Sequence, residues 1–145
     1  MIDNAIIDAN FFIALSFPKD PHHIKAEKMF SEVKKHRPIF YTNNYLLAEV
    51  YTILLIRTKS IKAVHFLRQE ILEKYKDVLV VFQASKEFDE EVCQVFINQK
   101  KYKGGFLSFA DCSLVVQGRL QNIKTIFTLD KTLKQFGKEF DIVEV

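Results

Sequence analysis

Tryptophan is absent from the 145 residues, cysteine occurs twice, proline three times and glycine four times. Two cysteines, Cys93 and Cys112, make neither a disulfide framework nor a zinc site. Both fall inside apolar helical patterns and read as free core thiols. No arrangement of His22, His23, His36 and His65 gives a helical zinc pair, and His22 and His23 read as solvated helix-start residues. There is no Gly/Ser/Pro-rich linker, no internal repeat and no low-complexity tract, so residues 1–145 read as one domain. No stretch approaches the ~18 apolar residues of a membrane span, and no basic region leads into a long apolar run. The expectation is a cytoplasmic protein without a membrane association.

What is present describes a globular chain, with 48% hydrophobic and 27% charged residues. This length buries about two thirds of the unfolded surface, so no metal or disulfide staple is needed for stability. Fourteen phenylalanines supply large rings for a core. The net charge of +3 is compatible with nucleic acid but does not require it.

Short β-rich runs alternate with helical ones. Ala5-Ile6-Ile7 suits a buried strand, and Asn10 to Phe17 a short helix that stops before Pro18. A helix from Pro21 to about His36 has Ile24, Met29, Phe30 and Val33 as its inner stripe. Ile39 to Thr42 is the second strand. Asn43 or Asn44 caps a helix running to about Thr58, apolar on nearly every side and expected to be buried on nearly every side. An amphipathic helix over Ile61–Tyr75 carries Val64, Leu67, Ile71 and Leu72, and Val78–Phe82 is the clearest strand. Ser85 opens a helix with Phe88, Val92, Val95 and Phe96 on its inner face. A helix follows over about Ser108–Leu120, then a strand at Lys124–Phe127, a short helix at Lys131–Phe136 and a last strand at Phe140–Val145. This alternation predicts α/β layering around a mainly parallel sheet, whose sites form beyond the carboxyl ends of the strands.

Four acids stand out against that pattern. Asp8 ends the first strand and Asp130 the fourth, so a parallel sheet delivers both to one edge. Asp also caps helices and starts turns, which explains either residue alone equally well. Glu49 is the only charge between Asn43 and Arg57, and Asp111 the only one between Gly105 and Arg119. A carboxylate in a buried helix must be paired, protonated or bound to a cation. Arg57 and Arg119 each lie eight residues beyond the acid, which is not an i,i+4 spacing. The other reading of Glu49 and Asp111 is an acid at the exposed edge of its helix. Gathered in one pocket, such acids repel by roughly 3 kcal/mol per pair about 5 Å apart at an effective dielectric of about 20. Only a cation or shared protons offset that repulsion, and carboxylate oxygens suit Mg²⁺ or Mn²⁺.

Ile-Ile-Asp8-Ala-Asn10, Leu-Leu-Ala-Glu49-Val, Leu-Ser108-Phe-Ala-Asp111 and Thr128-Leu-Asp130-Lys together resemble the PIN domain, and within it the small VapC-type toxins of prokaryotic toxin–antitoxin pairs. The resemblance covers essentially the whole chain. It implies an α/β fold with a doubly wound parallel sheet and helices on both faces. It also implies one or two Mg²⁺ or Mn²⁺ ions held by Asp8, Glu49, Asp111 and Asp130, and endonucleolytic cleavage of RNA to 5′-phosphate and 3′-hydroxyl ends. Asn10, Ser108 and Thr128 match the family's accompanying polar residues, with water-positioning or supporting roles. Ala9 departs from the pattern, standing where a hydroxyl residue is common. The resemblance further implies an antitoxin partner and a homodimer, for which the apolar helices around Tyr45–Tyr75 offer surface.

Lys100, Lys101 and Lys103 with Gly104-Gly105 form a basic, flexible loop that either grips phosphates or is simply solvated. The cluster of Lys34, Lys35 and Arg37 suits a helix C-terminus, and Glu87, Asp89, Glu90 and Glu91 suit a helix N-terminus. Three other readings compete: an RNA-processing or quality-control nuclease of the same fold without an antitoxin, a non-catalytic RNA-binding module that keeps the fold, and a phosphatase- or receiver-like domain with an Asp nucleophile. The last leaves Glu49 without a purpose.

Overall fold

The computed structural model of the chain describes residues 3–144. Five strands, β1 (Asn4–Ile7), β2 (Ile39–Asn43), β3 (Leu79–Phe82), β4 (Thr125–Thr128) and β5 (Asp141–Glu144), form one parallel sheet in the order β3-β2-β1-β4-β5. The chain moves outward from β1 to β3, then crosses back to the far side of β1 for β4. Strand order therefore reverses between β1 and β4, where connections leave in opposite directions and open a crevice at the carboxyl ends. Asp8 follows β1 at that crevice, and its N–H donates to the Phe127 carbonyl at 2.9 Å.

Helices cover both faces, as the doubly wound expectation required. On one face α1 (Ala9–Ser16) and α2 (His23–Lys34) bring Phe11 onto Phe127 and Phe30 onto Phe40, with ring centroids 5.4 Å and 5.0 Å apart. On the other, α6 (Phe109–Gln121) reaches the end of β2 through hydrogen bonds from Asn43 to Ser113 and Gln117. The remaining helices are α3 (Asn44–Thr58), α4 (Ile61–Gln69) and α5 (Lys86–Ile97), with a 3₁₀ helix at Lys131–Phe136. Asn43, Ser60, Ser85 and Ser108 each accept a backbone N–H as N-cap, so the polar residue before each apolar run starts the helix.

Several expectations change. Helix α4 does not run as an α-helix to Tyr75: it widens to a π turn over Glu70–Lys74, closed by Tyr75 N–H donating to Glu70 O at 3.0 Å. The widened turn delivers Tyr75 edge-on to Phe30. Ile24 is exposed, whereas Ala26 of the same helix is fully buried, so α2 packs through a different stripe from the one expected. Leu72 and Phe96 are likewise exposed. Helix α3 buries Leu46, Leu47, Val50 and Leu54 only, leaving Leu55 and Ile56 open. Its uniform greasiness thus includes an uncovered side. His23 is not solvated: its Nδ1 lies 2.7 Å from the Ala14 carbonyl and ties α2 to α1. Cys112 is buried and Cys93 half-buried, both free. Val145, the end of the predicted last strand, lies outside the described residues. Among the described residues no helix is long and apolar enough to cross a membrane.

Candidate metal centre

Asp8 is the N-cap of α1, with the Ala9 N–H donating to its Oδ1 at 2.7 Å, a bond that needs no hydroxyl at position 9. Its Oδ2 accepts the Thr128 hydroxyl at 2.6 Å. The carboxylate is 1% exposed, so packing and two hydrogen bonds fix it. Asp111 lies at the third position of α6 in a reciprocal capping box: its backbone N–H donates to Ser108 Oγ, and its Oδ2 accepts the Ser108 N–H, both at 3.1 Å. Glu49 lies in the second turn of α3, half-buried.

Folding brings these three together. One carboxylate oxygen from each of Asp8, Glu49 and Asp111 lies within 4.8 Å of the others. Asp130 stands beside this trio without joining it at that distance. Its Oδ1 accepts both the N–H and the hydroxyl of Thr132, at 2.9 Å and 2.6 Å, and caps the 3₁₀ helix. The capping explanation of strand-end acids is therefore correct for Asp8 and Asp130, and it coexists with convergence on one crevice.

The electrostatics carry the mark of uncompensated charge. Burial, then the neighbouring charges of Asp111 and Glu49, holds the Asp8 carboxyl well above the usual carboxylate range against the pull of Thr128 and the Ala9 N–H. Burial likewise raises Asp111, with Asp130 and Glu49 adding repulsion and Ser108 opposing it. Glu49 is raised by burial and by Asp130, while the Ser108 hydroxyl lowers it. Ser108 thus faces two of the acids. Among the described residues no ion pair reaches any of the four. Arg57 is bound to Asp20 at 2.9 Å, and Arg119 grips Glu139 through two bonds of 2.6 Å and 2.9 Å. A cluster of oxygen donors with its cations turned elsewhere fits a hard divalent ion.

The accompanying polar residues divide. Thr128 bonds Asp8 directly and also accepts the Asp130 N–H at 2.9 Å. Among the described residues Asn10 makes no hydrogen bond to the acids: its Oδ1 accepts the Leu129 N–H at 2.9 Å, pinning α1 to the turn that carries Asp130. A further set escaped the sequence reading. Asn43, taken there only as a cap, is fully buried and donates to Ser113 Oγ at 3.1 Å and Gln117 Oε1 at 2.9 Å. Gln117 donates in turn to the Thr42 carbonyl at 3.0 Å. This network locks the start of α3 to α6, and so Glu49 to Asp111. The signal was there: Ser113 and Gln117 are polar residues in an apolar run. An apolar cavity of about 360 Å³ lies elsewhere, lined by Phe12, Phe30, Phe40, Phe66 and Tyr75 among others and by none of the four acids.

A model of the PIN domain family matches residues 5–139. The chain belongs to the PIN domain family. Solved structures agree on the fold. VapC20 of Mycobacterium tuberculosis, a sarcin–ricin loop cleaving toxin, is 20% identical with a TM-score of 0.77 over 92% of this chain and 95% of that one. VapBC2 of Rickettsia felis, bound to a DNA fragment of its promoter, is 13% identical with a TM-score of 0.63 over 97% and 98%. PAE2754 of Pyrobaculum aerophilum is 18% identical with a TM-score of 0.59 over 100% and 92%. No curated protein matches the chain. In this PIN domain the crevice at the strand-order reversal is where the three acids meet.

Proposed function

We propose that this PIN-domain chain is a metal-dependent endoribonuclease and the toxin of a toxin–antitoxin pair. The observation that carries the reading is the set of three carboxylate oxygens within 4.8 Å, with no ion pair to any of them among the described residues. The similarity to VapC20 and VapBC2 adds the toxin context and an RNA substrate. Asp8, Glu49 and Asp111 would hold Mg²⁺ or Mn²⁺, with Asp130 supplying further negative charge at the rim. Such an ion, when bound, lowers the pKa of water and offsets charge on phosphoryl oxygens.

The chain's own residues do the rest. Thr128 and the Ala9 N–H hold Asp8 in one orientation, and Ser108 does so for Asp111. Asn10, tied to the Leu129 N–H, and Thr132, bonded to Asp130, steady the neighbouring turn. The raised proton affinities of the acids mean that cation binding displaces protons from them. The exposed apolar side chains Leu55, Ile56, Ile61 and Phe66 on α3 and α4 are the surface for a homodimer or an antitoxin. A cytoplasmic location accords with an RNA substrate.

The test is cleavage of total RNA by the purified protein with Mg²⁺, with Mn²⁺ and with EDTA. Cleavage that needs the metal and disappears in Asp111→Asn, with an unchanged melting curve, is the expected result. Full activity in EDTA defeats the reading. The neighbouring reading frame, expressed together with this chain, tests the antitoxin: co-purification and loss of cleavage are expected.

A further inference from the structure

The segment between α5 and α6 is not the flexible loop its glycines suggested. Tyr102 and Gly105 exchange two backbone hydrogen bonds, at 2.9 Å and 3.0 Å, as an antiparallel bridge. Lys103 and Gly104 between them both have positive φ, 47° and 83°. Positive φ at both central positions is the signature of a type I′ hairpin turn. At the base of the segment the Gln99 side chain clamps Leu107, accepting its N–H at 2.7 Å and donating to its carbonyl at 3.0 Å. The segment is a built projection.

Its position is fixed against the acidic crevice. A Cβ on Gly105 would stand 3.5 Å from Thr132 Cγ2, and Thr132 is the residue whose N–H and hydroxyl both bond Asp130. One turn of chain further on, Ser108 opens α6 beside Glu49 and Asp111. Phe106 lies between, 62% exposed. Two residues span at most about 7 Å, so Phe106 cannot be far from Ser108. On this segment Lys100, Lys101 and Lys103 are exposed, as is Lys131 next to Thr132, and none of them takes part in an ion pair among the described residues. Tyr102 is half-buried beneath the Lys103 ammonium, 5.5 Å from its ring centroid.

An exposed aromatic ring among unpaired cations, on a rigid projection beside a phosphodiester-cleaving site, matches one ligand chemistry. Single-stranded nucleic acid is held by stacking its bases on aromatic faces while lysines follow its phosphates. From this juxtaposition we infer that the Tyr102–Phe106 projection is a base-stacking platform, with Phe106 stacking an unpaired base of the substrate next to the cleaved phosphate and Lys103 and Lys131 gripping its backbone. The inference rests on the ribonuclease reading and names the part of the substrate that the site takes, an unpaired nucleotide rather than a duplex.

The experiment measures binding of the full chain, in Ca²⁺, to a fluorescein-labelled RNA oligonucleotide of unpaired sequence, to the matching duplex, and to the same single strand carrying 2-aminopurine. Wild type is expected to prefer the single strand and to quench the 2-aminopurine on binding. Phe106→Ala should weaken single-strand binding about 5- to 100-fold and remove the quenching, while Phe106→Trp retains both. Lys103→Ala should reduce the salt dependence by about 0.7 in the log–log slope, the value for one phosphate contact on a single strand. Ile97→Ala, an exposed apolar change on α5, serves as the control without effect. Unchanged affinity and quenching in Phe106→Ala overturns the inference. So does a change of oligomeric mass by light scattering in that variant with RNA binding intact, which makes the ring a protein interface. If wild type binds and quenches but cuts no RNA with Mg²⁺ or Mn²⁺, the ribonuclease reading fails and the platform stands.

Discussion

Thr128 donates its hydroxyl to Asp8 Oδ2 at 2.6 Å, joining two buried residues 120 positions apart in the chain. The Thr128 hydroxyl oxygen in turn accepts the Asp130 N–H at 2.9 Å. One side chain therefore orients a carboxylate at the end of β1 and sets the turn that leads from β4 to Asp130. Parallel pairing of β1 with β4 makes this possible, because it brings the ends of both strands to the same edge.

Thr128→Val keeps the shape of the side chain and removes both bonds. A buried acceptor that loses its donor costs about 1–3 kcal/mol, so urea denaturation should show a loss of that size. Mn²⁺ affinity should weaken about 10- to 100-fold, as for other groups that orient ligands from behind. Thr128→Ser restores the hydroxyl and should recover most of both. Equal stability and equal Mn²⁺ affinity in the valine variant would show that the bond does nothing for Asp8.

Asp111→Asn separates chemistry from folding. Asparagine accepts the Ser108 N–H as aspartate does, so the reciprocal cap survives. It removes one of several like charges, each pair of which repels by roughly 3 kcal/mol at about 5 Å. The metal-free variant should melt no lower than wild type. RNA cleavage should fall by at least about 100-fold, more than the loss of a supporting group produces. A variant that melts well below wild type would assign Asp111 a structural role instead.

What the sequence disclosed followed periodicity. Strand positions, helix starts at Asn43, Ser85 and Ser108, and the shared edge of Asp8 and Asp130 are local or topological properties, readable from apolar spacing and capping residues. Glu49 and Asp111 stood out because charge is rare in apolar runs. What stayed hidden depends on which neighbour arrives. Ile24 has a core-like type but is exposed while His23 and Ala26 of the same turn meet the fold, and Leu55 and Ile56 lie on an uncovered side of α3. Asn10 matched a pattern of polar residues near the acids, yet its bond goes to the Leu129 backbone. No local pattern encodes the Asn43–Gln117 contact across 74 residues, nor the π turn at Glu70–Lys74.

Asn43 serves as cap and as cross-link at once, accepting the Leu46 N–H at 3.0 Å while donating to Ser113 and Gln117. Asn43→Ala removes the cap, at about 1 kcal/mol, and strands a buried amide oxygen, at about 1–3 kcal/mol more. A total loss of about 2–4 kcal/mol is expected in chemical denaturation. Asn43→Asp keeps the cap but replaces the amide donor with a buried charge facing Gln117 Oε1, and should be no better. Losses below about 1 kcal/mol for both would mean that α3 and α6 are held together by apolar packing alone.

The acids make metal-free stability fall with rising pH. Burial and mutual repulsion push the Asp8 carboxyl up to about 8 and Asp111 up to about 6, from ordinary values near 3.8. A carboxyl with a raised folded-state pKa binds its proton more tightly when folded. Its contribution is complete below the unfolded value and is lost as pH rises through the folded one. In EDTA the melting temperature should therefore decline from about pH 4 to about pH 8, with both carboxyls contributing up to about pH 6 and Asp8 alone above it. Asp8→Asn should flatten the upper half of that decline. Saturating Mn²⁺ should act in the opposite sense, raising the melting temperature more at pH 8 than at pH 6, because the ion competes with protons for the same oxygens. A metal-free melting temperature that climbs across this range would mean that the carboxylates are already ionised and compensated, leaving no electrostatic demand for a cation.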